Sequence, residues 1–152
     1  MITRILRRRG NPDPEAGSAI VFVIGFALVL LIMAGVVVDG GLALNARQRV
    51  ADDVEQAARA GALNLNLPEL RSNGVVAIDQ SKARDAVAEF LGNRGYTSND
   101  GVTIQTSDKE VIVTATVQQK TAMLSLLHID HFTIKATGAA RPTVGINGGG
   151  TP

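Results

Sequence analysis

The sequence predicts an α+β protein hung on a single N-terminal transmembrane helix, and three observations carry the prediction. Residues 19–38 form an unbroken apolar run preceded by Arg4, Arg7, Arg8 and Arg9. Residues 42–64 lack proline and repeat small apolar side chains at steps of three and four, the spacing of one helix face. From Gly101 onward the apolar period shortens to two, which is the period of strands. The expected division is a basic cytoplasmic stub at 1–17, a transmembrane helix at 18–38 and an amphipathic helical extension at 39–66. A small extracytoplasmic head at 67–144 follows, with one further helix and about three antiparallel strands, and then a flexible tail at 145–152.

Taking the elements in order, Gly10, Pro12, Pro14 and Gly17 predict an irregular stub, with Ser18 as the N-cap of the span. No residue between 16 and 38 is charged. At about 1.5 Å per helical residue the apolar run reaches roughly 30 Å, the thickness of a bilayer's hydrocarbon core. The four arginines before the span outnumber Arg47 and Arg49 after it, so the positive-inside rule predicts an N-terminus in the cytoplasm and everything beyond Asp39 outside. An uncleaved anchor is expected over a signal peptide, because the run exceeds a signal h-region and lacks an Ala-x-Ala exit.

Past the membrane, Ala46, Val50, Val54, Ala57 and Gly61 make a stripe whose small side chains let another backbone or sheet approach closely. That stripe is the expected helix-packing interface with neighbouring subunits, and Gly40 with Gly41 could loosen the helix where it leaves the lipid. Pro68 and the Ser72-Asn73-Gly74 turn then lead to a short apolar run at 75–78. Asp79 is a good N-cap for a second helix carrying Ala83, Ala86, Val87, Phe90 and Leu91 on one face, and Gly92, Asn93 and Gly95 end it. Strands follow at 102–106, 111–117 and 132–136, and a two-residue loop at Asp108-Lys109 sets Ile104 opposite Val113 and Val102 opposite Ala115.

Composition narrows the function classes. The chain has 152 residues, 15 Lys plus Arg against 14 Asp plus Glu, and a net charge of +1, so no polyelectrolyte footprint points to nucleic acid. Hydrophobic residues reach 45% but aromatics only 3%, which leaves little for stacking on bases or sugars. The absence of cysteine excludes disulfides, thiolate metal sites and cysteine nucleophiles. No phosphate-binding glycine motif and no Gly-x-Ser-x-Gly elbow is present, so neither an enzyme, a cofactor nor a small-molecule substrate is expected.

Candidate sites are correspondingly few. Ser18 and Asp39 mark the membrane boundaries; at that edge the Asp39 carboxylate is expected to reach water, either as an ordinary boundary residue or with a role in helix–helix docking. Asp52, Asp53 and Glu55 beside Arg47, Arg49 and Arg59 read as a solvated polar face. His128, Asp130 and His131 have the chemistry of metal ligands but not a helical ligand spacing, so a turn leading into a strand is expected instead. Met123, Leu124, Leu126 and Leu127 lie in an apolar connector between strands, either closing the core or offering a partner patch.

Three stretches carry a family resemblance: Glu15-Ala16-Gly17-Ser18-Ala19 leading into the span; residues 35–52 with Asp39 and the Gln48-x-x-Ala51-Asp52 step, running on to Ala57-Ala58-Arg59-Ala60-Gly61-Ala62; and the Val/Thr strand with residues 121–129 and 132–141. Together they resemble the TadE/TadG-like proteins of the bacterial tight-adherence (Tad, or Flp) pilus system. The resemblance implies a membrane-anchored, pseudopilin-like structural or assembly component whose partners are the membrane and other pilus-assembly or pilin-like proteins, in homo- or hetero-oligomers. Processed pilin-like members carry Glu at the fifth residue after the cleavage site, where this chain has Phe22, so it looks closer to the membrane-retained, TadG-like branch and cleavage after Gly17 is not expected. The alternative from another class is a membrane-tethered extracytoplasmic binding or sensor domain unrelated to pili; a third is a small metallohydrolase using His128, Asp130 and His131.

Overall fold

The computed structural model describes residues 14–97 and 100–142. The arginines at 4–9 and the tail at 145–152 lie outside them. One helix dominates: α1, Pro14–Ala62, runs 49 residues without interruption, about 73 Å at 1.5 Å per residue. Residues 14–17 already belong to it, so Ser18 lies inside the helix and not at its N-cap. It also passes through Gly40 and Gly41 unbroken. Its apolar N-terminal half is long and hydrophobic enough to cross a membrane and is almost entirely uncovered by the rest of the chain.

The C-terminal half of α1 is the spine of a small head. Two further helices follow, α2 at Leu67–Asn73 and α3 at Gln80–Asn93, then strands β1 (Thr103–Thr106), β2 (Val111–Lys120) and β3 (His131–Ala140). The sheet is antiparallel in the order β1-β2-β3. Ile104 pairs with Val113 as the alternation predicts. The N–H of Ser107 donates to the carbonyl of Glu110 at 2.9 Å, closing the two-residue Asp108-Lys109 loop. Asp79 caps α3 by accepting from the Lys82 N–H at 3.3 Å. Its carboxyl is pulled down to about 2 by the Ser81 hydroxyl, then by the Lys82 ammonium and backbone N–H.

The short helix α2 is an element beyond the one further helix expected. Pro68 lies in its first turn, where proline is tolerated. Asn66 caps it through the Glu69 N–H, and Gly74 closes it at φ 67°, a left-handed conformation that glycine adopts without penalty.

Alternation gives the sheet one apolar and one polar face. Val111, Val113 and Ala115 of β2 point inward beside Ile134 and Gly138 of β3, while the outer face carries a Thr114–Thr137 hydroxyl pair at 2.9 Å. The inward face lies on α1, and α3 packs on the same helix. The stripe Ala46, Val50, Val54, Ala57 and Gly61 therefore meets the chain's own sheet and α3: the close approach that its small residues allow is made within one molecule. The largest fully buried apolar side chains are valines, Val54, Val87, Val111 and Val113, so the layers lie close together.

Two glycines mark the closest approaches. A Cβ at Gly138 would lie 2.6 Å from the Glu55 backbone nitrogen and 2.7 Å from the Val54 carbonyl carbon, and one at Gly61 would lie 2.8 Å from Val87 Cγ2. At Gly138 both obstacles are backbone, so strand or helix must move to admit a methyl. Gly138→Ala should destabilise the full chain by about 1–3 kcal/mol, read from denaturant unfolding in detergent. Lys135→Ala, on the exposed face of the same strand, should stay within about 0.5 kcal/mol. Equal stability of the Gly138→Ala and parent chains would show that the two backbones are not in contact.

Candidate functional site

The junction between the apolar half of α1 and the head is built around Asp39. This residue follows the last valine of the apolar run, and it is 1% exposed. The expectation that its carboxylate reaches water is corrected by the connector between β2 and β3, which folds over it. Oδ1 accepts from the Ala122 N–H at 2.8 Å, Oδ2 from the Leu124 N–H at 2.6 Å, and the Met123 N–H is shared between them at 3.2 and 3.0 Å. These amides open the 3₁₀ turn Leu124–Leu127, whose first N–H groups have no partner within the turn and present partial positive charge. A buried carboxylate is tolerable when its lone pairs are filled in this way. Burial alone pushes the Asp39 carboxyl up, and the three amides together more than reverse this and hold it below the ordinary value of 3.8.

The connector closes on itself around that contact. His128 ends the 3₁₀ turn at φ 63°, and its N–H returns to the Ser125 carbonyl at 3.0 Å. His131 begins β3, so the histidine pair flanks a turn leading into a strand. Among the described residues no three His, Cys, Asp or Glu side chains converge as metal ligands. Leu124 is buried beneath the turn, whereas Met123, Leu126 and Leu127 are exposed at 44%, 80% and 47%, so the four residues of the expected patch divide between core and surface. Ser18 is an exposed position inside α1 and caps nothing.

A second buried carboxylate, Asp53, ties α3 to α1. It accepts from Arg94 Nη1 at 2.6 Å and from the Tyr96 hydroxyl at 3.2 Å, and the Arg94 guanidinium also lies 5.0 Å from the centre of the Phe90 ring. Asp53 is thus no part of a solvated face. Burial, and then the Asp53 charge, push the Tyr96 hydroxyl up to about 12. The adjoining cleft, about 230 Å³, falls below the roughly 300 Å³ where small-molecule sites begin. Asp53, Arg94 and Tyr96 in its wall are already paired with one another, which suits a structural clasp.

Sequence reasoning finds Asp39 as a position but not its partners, which lie 83 to 85 residues away. The available signal is a lone carboxylate placed where an apolar helix ends, with a connector elsewhere rich in leucine and free of charge. The family model Tad, described as “Putative Flp pilus-assembly TadE/G-like”, matches residues 17–64. It takes in the apolar half of α1, Asp39 and the helical stripe, and stops before α2. No curated protein and no solved structure matches the chain.

Asp39→Asn removes the charge and one acceptor at nearly constant size. Hydrogen exchange at neutral pH should show faster exchange of amides 122–124 and unchanged protection along β2 and β3; retained protection at 122–124 would contradict the clasp. The pH dependence has a definite sign. A carboxyl with a lowered pKa in the folded state contributes its full stability above the ordinary value and loses it as pH falls through the lowered one. The wild-type amide signals of 122–124 should therefore shift only below pH 3.8, and Asp39→Asn should show no such step.

Proposed function

We propose that this chain is a membrane-anchored structural or assembly component of a Tad/Flp-type pilus or a related secretion machine, acting by contact and not by catalysis. The observation that carries the proposal is the correspondence at residues 17–64, which covers the apolar helix, the Asp39 boundary and the stripe that builds the head. In this reading the N-terminus is cytoplasmic, residues 18–38 span the membrane once, and the head projects outward. The stripe at Ala46, Val50, Val54, Ala57 and Gly61 holds the head to its own helix. Lateral contacts with pilin-like partners then fall to the exposed faces of the span. The Asp39 clasp supports an assembly role because it fixes the head's orientation on the helix that its partners would engage.

A chain without cysteine allows single-cysteine probes with no background. A membrane-impermeant maleimide on intact spheroplasts should label Leu63→Cys, at the far end of α1, and label Thr3→Cys only after permeabilisation. The reverse pattern would invert the orientation. Oxidative cross-linking of Val37→Cys, which is 75% exposed, against cysteines in the spans of co-encoded pilin-like proteins should give specific adducts; normal piliation after deletion of the chain would overturn the assembly role. Intact mass from membranes should begin at or next to Met1, and a start at Ser18 would instead make the protein a processed minor pilin.

A further inference from the structure

The connector that clasps Asp39 extends to the lipid side of the boundary. Asp39 ends the apolar run, yet the connector packs against residues well before it. A Cβ at Gly35 would lie 3.2 Å from that of Met123. An apolar groove is lined by Leu28, Leu31 and Ile32 on the helix and by Leu126 and Leu127 on the connector. Gly35 and Leu28 precede Asp39 by four and eleven residues, which is about 6 and 16 Å along a helix axis. A span occupying residues 18–38 thus places the connector level with the outer part of the hydrocarbon core.

Its hydrogen bonding suits that depth. Ala122, Met123 and Leu124 give their N–H groups to Asp39, and the N–H groups of Thr121, Leu126, His128 and Ile129 bond to carbonyls of the same loop. The Thr121 and Ser125 hydroxyls return to the Ile129 and Ala122 carbonyls. The loop therefore answers most of its polar backbone internally, which is the condition for non-helical chain to enter lipid. Of the side chains it turns outward, Met123, Leu126, Leu127 and Ile129 are apolar, while Ser125, His128 and Asp130 are exposed as well.

We propose that the connector is a membrane wedge: the head inserts Leu126 and its neighbours into the acyl chains of the outer leaflet beside its own span, and lipid fills the groove. The occupant is lipid because one wall of the groove, Leu28, Leu31 and Ile32, belongs to the exposed apolar run that the span reading puts in the bilayer. This inference rests on the reading of α1 as a membrane span.

The chain contains no tryptophan, so single reporters are unambiguous. Three full-length variants, Leu126→Trp, Phe22→Trp in the span and Leu63→Trp at the distal end of α1, are reconstituted into phosphatidylcholine vesicles with or without bromine on the acyl chains. Leu126 and Leu63 are equally exposed at 80%, so depth alone separates them. Leu126→Trp and Phe22→Trp should lose most of their emission to the brominated lipid, and Leu63→Trp should lose none while responding to aqueous iodide. If Phe22→Trp is quenched by bromine and Leu126→Trp is not, the wedge is overturned. Iodide access at Leu126→Trp would then mean a loop in water, and shielding from both quenchers would mean a protein cover such as a second copy. If bromine quenches neither, the span reading falls and the wedge falls with it.

Discussion

A single buried carboxylate sets the geometry of this molecule. Asp39 has left water without taking up an ion-pair partner among the described residues, and what replaces its hydration is three consecutive backbone N–H groups from a loop more than eighty residues away. Such an arrangement has little tolerance. An aspartate left buried without those donors would be strongly unfavourable, and the donors, opening a 3₁₀ turn, would themselves be unsatisfied. Each half of the contact thus requires the other, and together they fix where the β2–β3 connector crosses α1.

The remaining constraints follow along the same helix. Beyond Leu44, α1 stops presenting large apolar side chains to its surroundings and turns valine, alanine and glycine toward the sheet. Small residues bury little area each, and they compensate by letting backbones approach until a methyl at Gly138 or Gly61 would collide. The head attaches to α1 at Asp39, again where β3 crosses Val54 and Glu55, and again where α3 meets Gly61. These attachments hold the head to the helix at three levels.

Much of the head is legible where local chemistry decides. The β1–β2 register follows from a strict period of two and a two-residue loop, and the start of α3 follows from an aspartate with a free N–H three residues on. Legibility fails where one residue type serves two purposes. Pro68 reads as a break but occupies the first turn of a helix. The small-residue stripe announces close packing but not whose backbone arrives, because an intramolecular sheet and a neighbouring subunit make the same demand on side-chain size. Asp39 is the extreme case: its partners are amides, which every residue but proline supplies, so no side-chain pattern could point to them.

The division of labour along α1 bears on how an assembly could use the protein. A head on a flexible linker could meet partners in any orientation, and contacts made by the span would convey nothing about it. Here the helix is continuous across the boundary and the connector grips both sides of it, touching Asp39 above and Gly35 below. In the proposed membrane reading one continuous helix carries both the span and the sheet, so lateral contacts on the one bear on the other. Because the stripe is occupied internally, the proposed reading leaves partners the apolar half of α1 and links contacts there to the presentation of the polar sheet face. The link is made by the Asp39 clasp together with the close contacts at Gly138 and Gly61.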